Sequence, residues 1–216
     1  MVTKGIIYYS AGGPPPKVVQ AVRDQLLTIG LPIVSATLEP TDFGTNVVVE
    51  GKKGYLTMFK QILAALEAST ADIIFFCEHD VLYPKEHFDF TPTKEDTFYY
   101  NVNWWRVRKD GFAIRWRAEQ VSGLCAYRTT AIEYYKNRIN GFDPDNFDRK
   151  FEPMSYEGSE QWESSVPYVD IRHDNNLTYS KWNINHFRKK DTAVGLSEST
   201  IDKIPGWSIT REDIYG

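Results

Sequence analysis

Hydrophobic and polar positions alternate along the first eighty residues in a way that predicts strands and helices in turn. "GIIYYS" (5–10) is a short apolar run that stops at "AGGPPP", the pattern of a buried strand followed by a loop. Over 16–29, Val18, Val19, Val22, Leu26 and Ile29 recur at helical spacing, with Pro16 suited to a first turn and Gly30 to the position past the end. "LPIVSATL" (31–38) returns as a strand, and 39–54, with Pro40, Gly44, Gly51 and Gly54, reads as loop. A second amphipathic helix over 55–68 aligns Tyr55, Phe59, Ile62, Leu63 and Leu66, and 72–77 is a third strand. Strand–helix–strand–helix–strand is the signature of a parallel sheet covered on both faces.

The second half changes period. "TFYYNVNWWRV" (97–107) and "GFAIRWRAEQ" (111–120) flank a turn at Asp110-Gly111 and predict a hairpin. "VSGLCAY" (121–127) is a further strand, and 129–139 a helix opened by a threonine cap. A polar loop covers 140–156, a short helix 157–165, and "PYVDIRH" (167–173) a last strand, after which 174–216 wraps the surface. With no repeat or linker in view, the chain is expected to form one α/β domain over 1–216 around a mixed, mainly parallel sheet.

Composition narrows the partners. A hydrophobic fraction of 42% supports a full core, and 13 Tyr, 12 Phe and 6 Trp exceed what such a core needs, so some rings are available for stacking. The net charge of −4 argues against a broadly basic nucleic-acid face but leaves room for a local stripe. Cys77 and Cys125 lie in apolar runs and are expected as buried free thiols, which fits a reducing cytoplasm. Neither an 18-residue apolar run nor a leader-like start is present, so no span and no signal peptide are expected. The sequon at Asn176 is read as chance.

The third strand, "DIIFFC", ends abruptly at Glu78-His79-Asp80. In parallel sheets ligands bind beyond the carboxyl ends of the strands, and carboxylates two residues apart grip a hard divalent cation such as Mg²⁺ or Mn²⁺. The alternative is a solvated turn with Asp80 capping local backbone. Strand alternation turns His79 away from such a metal, and His87 reads as an ordinary surface residue. His173, at the end of its strand, is the first choice for an imidazole ligand and His186 the second, each against a purely structural role. Trp104, Trp105 and Trp116 alternate with Arg106, Arg108, Arg115 and Arg117. That stripe suits an acceptor platform for a sugar ring or a nucleic-acid base and phosphate, or else a half-buried sheet with snorkelling arginines.

Four segments in order carry a family resemblance: "FFCEHDVLYP", "VSGLCAYRTTAIEYY", "FEPMSYEGSEQWE" and "VDIRHDNNLT". Together they resemble the GT-A glycosyltransferases of the family 2 kind over most of the chain, with Glu-His-Asp in place of the D-x-D metal motif. The resemblance implies a Rossmann-like nucleotide-diphospho-sugar transferase fold, with 1–96 binding the nucleotide-sugar and 97–216 the acceptor. It implies a UDP-sugar donor bridged by Mn²⁺ or Mg²⁺ held by Glu78, Asp80 and the late His173. Ser10, Ala11 and Gly12 fall where such proteins seat base and ribose, Glu39 follows the second strand, and Lys53 is placed to reach a phosphate. Glu157 or Glu160, the former preferred, becomes the base of an inverting transfer, although the family's Glu-Asp pair is absent. Trp104, Trp105, Arg106, Arg115, Trp116 and Arg117 then face the acceptor. That acceptor is a hydroxymethylated pyrimidine of bacteriophage DNA, a saccharide or a lipid-linked sugar. Two rivals remain: a sugar nucleotidyltransferase, whose G-x-G-T-R-like signature "SAGGPPPKVV" lacks, and a non-catalytic nucleotide- or carbohydrate-binding module.

Overall fold

In the computed structural model, which describes residues 2–146, 151–155 and 157–216, the chain begins with β1 (Lys4–Ser10), α1 (Pro16–Leu27), β2 (Ile33–Thr37), β3 (Thr45–Val48), α2 (Tyr55–Ala68), β4 (Ile73–Glu78) and β5 (Val81–Leu82). It continues through β6 (Tyr99–Asn101), β7 (Trp104–Val107), β8 (Phe112–Arg115), β9 (Leu124–Tyr127), α3 (Arg128–Asn140), β10 (Glu160–Trp162), β11 (Tyr168–Ile171), β12 (Ser197–Thr200) and α4 (Arg211–Tyr215). Among the described residues the strands form two sheets. The larger, in the order β10-β6-β9-β4-β1-β2-β3, is parallel except for β9. The smaller, β12-β8-β7-β11-β5, is antiparallel except where β7 meets β11. The α/β class with a mixed, mainly parallel central sheet is thus what the hydrophobic pattern implied.

The central strands β1 and β4 are buried on both faces, which is why they read as unbroken apolar runs. Their alternating side chains feed two cores. Ile6, Tyr8, Ile73 and Phe75 pack with α1 and the smaller sheet, whereas Ile7, Tyr9, Ile74 and Phe76 pack with α2 and α3. Pro16 opens α1, and Gly30, just beyond its end, takes φ +75°. Cys77 and Cys125 are buried and free. No helix among the described residues is long and apolar enough to cross a membrane.

Four local expectations are corrected. The stretch 39–54 is not all loop: Thr45–Val48 adds an edge strand parallel to β2, joined to it by Asn46 Nδ2, which donates to Ser35 Oγ and Thr37 Oγ1. The flanking glycines hid a β-branched run. Helix α3 has no threonine cap. It starts at Arg128 without a side-chain cap, and Thr130 Oγ1 donates instead to the Glu95 carbonyl.

The short helix expected over 157–165 is strand β10, parallel to β6, where Trp162 stacks on Phe90 at 4.5 Å and 6°. Tertiary pairing outweighs the local propensity there. The segment 174–216 does more than wrap the surface, since Phe187, Ile201, Ile204 and Ile214 enter the core. Of the expected polar loop 140–156, residues 147–150 and 156 lie outside the described residues.

Candidate functional site

The carboxyl ends of β1 and β4 bring their polar residues together. Tyr9 and Glu78 sit opposite each other in register, and the Tyr9 hydroxyl donates to Glu78 Oε1 at 2.8 Å. Burial, and after it the Asp80 charge, push the Glu78 carboxyl up to about 8, with the Tyr9 hydrogen bond opposing them.

Asp80 follows in the turn before β5. Pairing of β5 with β11, and the Ile171 N–H that donates to the Asp80 carbonyl at 2.8 Å, set it beside the end of β11. Asp80 as a whole is 4% exposed. Oδ2 accepts from Asn176 Nδ2 at 2.7 Å and lies 3.2 Å from His173 Nε2, whereas Oδ1 is buried with no partner. Burial disfavours ionisation of Asp80, but His79, His173 and Arg172 outweigh it and hold the carboxyl below the ordinary range.

His79 turns toward this group, not away from it. Its Nδ1 is 2.6 Å from Ser10 Oγ, and its ring centroid is 5.9 Å from that of His173. His79, Asp80 and His173 each present a ligand atom within 4.8 Å of the others, the one such group among the described residues. Glu78, next to it, bonds Tyr9 and is not part of that group.

The orphaned Asp80 oxygen and the two imidazoles fit a divalent cation, and nitrogen ligands favour Mn²⁺ over Mg²⁺. His173 Nδ1 accepts the Asn175 N–H at 3.2 Å, and Nε2 faces Asp80 Oδ2 and Asn176 Nδ2, each at 3.2 Å. That nitrogen would be the one to hold a cation.

A cavity of about 320 Å³ opens over this group. Of the residues expected to seat a nucleotide, Ala11 and Lys53 line it. Ser10 lies beneath, its carbonyl accepting from Gln61 Nε2 and its hydroxyl contacting His79. Gly12 and Glu39 are exposed and outside the lining. Lys53 Nζ donates to the Asn175 carbonyl, and Asn175 Nδ2 donates to the Gly13 carbonyl at 3.1 Å. A Cβ on Gly13 would approach Lys53 Nζ to 2.9 Å, and at φ +122° the position requires glycine.

Glu157 lies exposed in a turn, and Glu160 on β10 pairs with Lys94 at 2.5 Å; neither lines the cavity. His186 is apart from the cluster, its Nδ1 accepting the Trp182 N–H. His87, read as a surface residue, is fully buried. The Trp–Arg stripe divides by face. Trp104 is wholly buried with its indole N–H on the Ala118 carbonyl, and Trp105 packs under Arg115. Arg117 binds Glu163 and Gln161 at the surface. Arg106 and Trp116 reach the cavity.

Sequence reasoning passed over several side chains that line the cavity, four charged ones among them. Glu119, between β8 and β9, accepts from Ser159 Oγ at 3.0 Å and Gln161 Nε2 at 2.8 Å. The segment "YEGSEQWE" thus supplies donors, and the carboxylate comes from across the sheet. Glu152 is raised from its ordinary value by burial first, with Glu119's charge also raising it against local backbone hydrogen bonds. Asp170 and Arg172 complete the set, and a charged pair inside "YVDIR" was the one available signal. Arg106 Nε and Nη2 donate to Asp170 Oδ2 at 2.8 and 2.7 Å.

No protein-family description matches this chain, and no curated protein does either. Among solved structures it is similar to HddC from Yersinia pseudotuberculosis, at 13% identity and a TM-score of 0.45 over 79% of this chain and 93% of that one. It is also similar to a glycosyltransferase involved in the glycosylation of the major capsid of PBCV-1, at 11% identity and a TM-score of 0.48 over 77% and 92%. A third is the apo form of the glycosyltransferase GlyE in Streptococcus pneumoniae TIGR4, at 10% and 0.38 over 73% and 45%. The site above rests on this chain's own residues.

Proposed function

We propose that this chain is a metal-dependent glycosyltransferase that moves a sugar from a nucleotide-sugar, UDP-linked, to an acceptor hydroxyl with inversion. The observation that supports it most directly is the carboxylate of Asp80, with one oxygen buried and unpartnered, grouped with two imidazoles at the carboxyl end of a parallel sheet beside a cavity. His79, Asp80 and His173 would hold Mn²⁺ or Mg²⁺, which when bound stabilises negative charge on a leaving diphosphate.

The chain's own groups then divide the remaining work. Lys53 and the backbone around Ala11 face the donor phosphates and nucleoside. Ser10 holds His79 through its hydroxyl, and Asn176 holds Asp80. Glu152 takes the proton of the acceptor hydroxyl, because burial and then the neighbouring Glu119 raise its carboxyl above the ordinary value and make it a stronger base. Glu119, pinned by Ser159 and Gln161, is its fixed negative neighbour. Trp116 and Arg106 meet the acceptor, a hydroxymethylated pyrimidine or a saccharide.

The test supplies UDP-sugars with Mn²⁺ or Mg²⁺ and measures nucleotide release by wild type and Asp80→Ala. Release should require the metal and collapse in the variant. Release indifferent to both sinks the reading, and binding of UDP-sugar without any turnover points to the non-catalytic module.

A further inference from the structure

Two cations that line the cavity, Arg106 and Lys181, keep donors that no carboxylate takes up. Arg106 spends Nε and Nη2 on Asp170, and its Nη1 has no partner among the described residues. Arg172 Nη1 is 3.7 Å from the same Asp170, its side chain is 10% exposed, and its Nε is buried without a partner. Lys181 also lines the cavity. Its Nζ stands 4.5 Å over the Phe187 ring and meets no carboxylate or carbonyl among the described residues. Arg172 is thus shared among Asp170, Glu78 and Asp80, and Arg106 and Lys181 are the two cations left with donors to spare beside the cavity.

Aromatic rings join Arg106 to Lys181. The Arg106 guanidinium is 5.1 Å from the Trp116 ring, and Trp116 is 5.1 Å edge-on from Phe187. Burial, and then the positive charges of Arg106 and Arg188, lower the Lys181 ammonium from its ordinary value. An anion would relieve both costs at once, since a charge-assisted hydrogen bond is stronger where water is scarce.

We propose that Arg106 and Lys181 form an anion subsite for a phosphate or carboxylate carried by a small acceptor. The word acceptor rests on the glycosyltransferase reading; the anion site does not. A cavity of about 320 Å³ suits one charged group on a compact molecule and not the backbone of a duplex. The site draws on β7 and on the segment after β11, whereas the His79–Asp80–His173 group stands at the ends of β4 and β11.

Inorganic sulfate, which takes no part in transfer, is titrated into the full chain by calorimetry with EDTA present. Wild type should bind it saturably. Lys181→Met should weaken binding about tenfold, the size of one charge-assisted hydrogen bond. Lys181→Arg should restore most of it. Equal binding by wild type and Lys181→Met overturns the subsite.

In transfer assays a uronic-acid glycoside should show a lower KM than its neutral counterpart, and Lys181→Met should erase that difference. A duplex that binds through Lys181 while the acidic glycoside gains nothing overturns the small-acceptor assignment. Lys181-dependent sulfate binding by a protein that releases no nucleotide supports the anion site and removes the glycosyltransferase reading.

Discussion

His173 Nε2 lies 3.2 Å from Asp80 Oδ2, and the other oxygen of the same carboxylate is buried with nothing to bind. A buried acceptor left unmatched costs free energy on the order of 1–3 kcal/mol, and in a site of this composition it marks the position a cation would fill.

The hydroxyl of Ser10 orients His79 through Nδ1. Ser10→Ala should weaken Mn²⁺ binding by about 10–100-fold, the usual effect of removing a group that holds a metal ligand, and Asp80→Asn should weaken it more. Electron paramagnetic resonance of free Mn²⁺ reads both. An unchanged affinity in Ser10→Ala would remove His79 from the ligand set.

Glu152→Gln should lower kcat by roughly 10²–10⁴-fold, the range for loss of a general base. Glu119→Gln removes a charge that raises Glu152, so the acid limb of the kcat/KM profile should move to lower pH. Glu160→Gln loses a half-exposed ion pair with Lys94 and should change stability by less than about 1 kcal/mol. A loss of kcat in Glu160→Gln equal to that in Glu152→Gln would return the base to β10.

His87 is enclosed by Phe75, Tyr83, Phe88, Trp162 and Tyr168, and its Nδ1 accepts from Asn101 Nδ2 at 3.0 Å. Burial pushes it down to about 3, against about 6.5 in an unfolded chain. The folded state binds fewer protons between those values. Its contribution to stability is therefore complete above pH 6.5 and lost as the pH falls toward 3. Wild type should lose about 2 kcal/mol between pH 6.5 and 5 from this residue alone. His87→Phe should flatten that limb, since Asn101 Nδ2 keeps its bond to Ser164 Oγ. Urea midpoints at the two pH values decide it.

Arg106 and Asp170 form a buried pair, 9% and 5% exposed. Asp170→Asn leaves the guanidinium uncompensated and should cost about 3–5 kcal/mol. Arg106→Met combined with Asp170→Leu should recover only part of that loss, because Arg172 also faces Asp170. Denaturation of the single and double variants measures the difference, and a cost below about 1 kcal/mol in Asp170→Asn would show that water reaches the pair.

The chain's pattern carried the first half of the fold well. Helix α2 spans the very residues its apolar spacing marks, and Ile73–Glu78 forms the strand that its unbroken apolar run required. It carried the later elements less well, because their reasons are remote. Trp162 is in a strand because Phe90 offers a ring to stack on, and His87 is buried because rings from β4, β10 and β11 close around it. Neither neighbour is visible in a local window.

For the site, periodicity alone placed Glu78-His79-Asp80 at the carboxyl end of a buried parallel strand, because a run that is apolar on both faces has to end where the sheet opens. What it could not fix was direction. The chain turns at residue 79, so the period-2 rule that sent His79 away from Asp80 no longer holds there, and only the packed structure brings that ring to Ser10 and His173. The same is true of Glu119 and Glu152, whose neighbours come from distant segments. Sequence by itself determined which strand end would be polar. Tertiary structure decided which of those polar groups meet, because their spacing across strands depends on pairing register and on the return of the chain through Asn176.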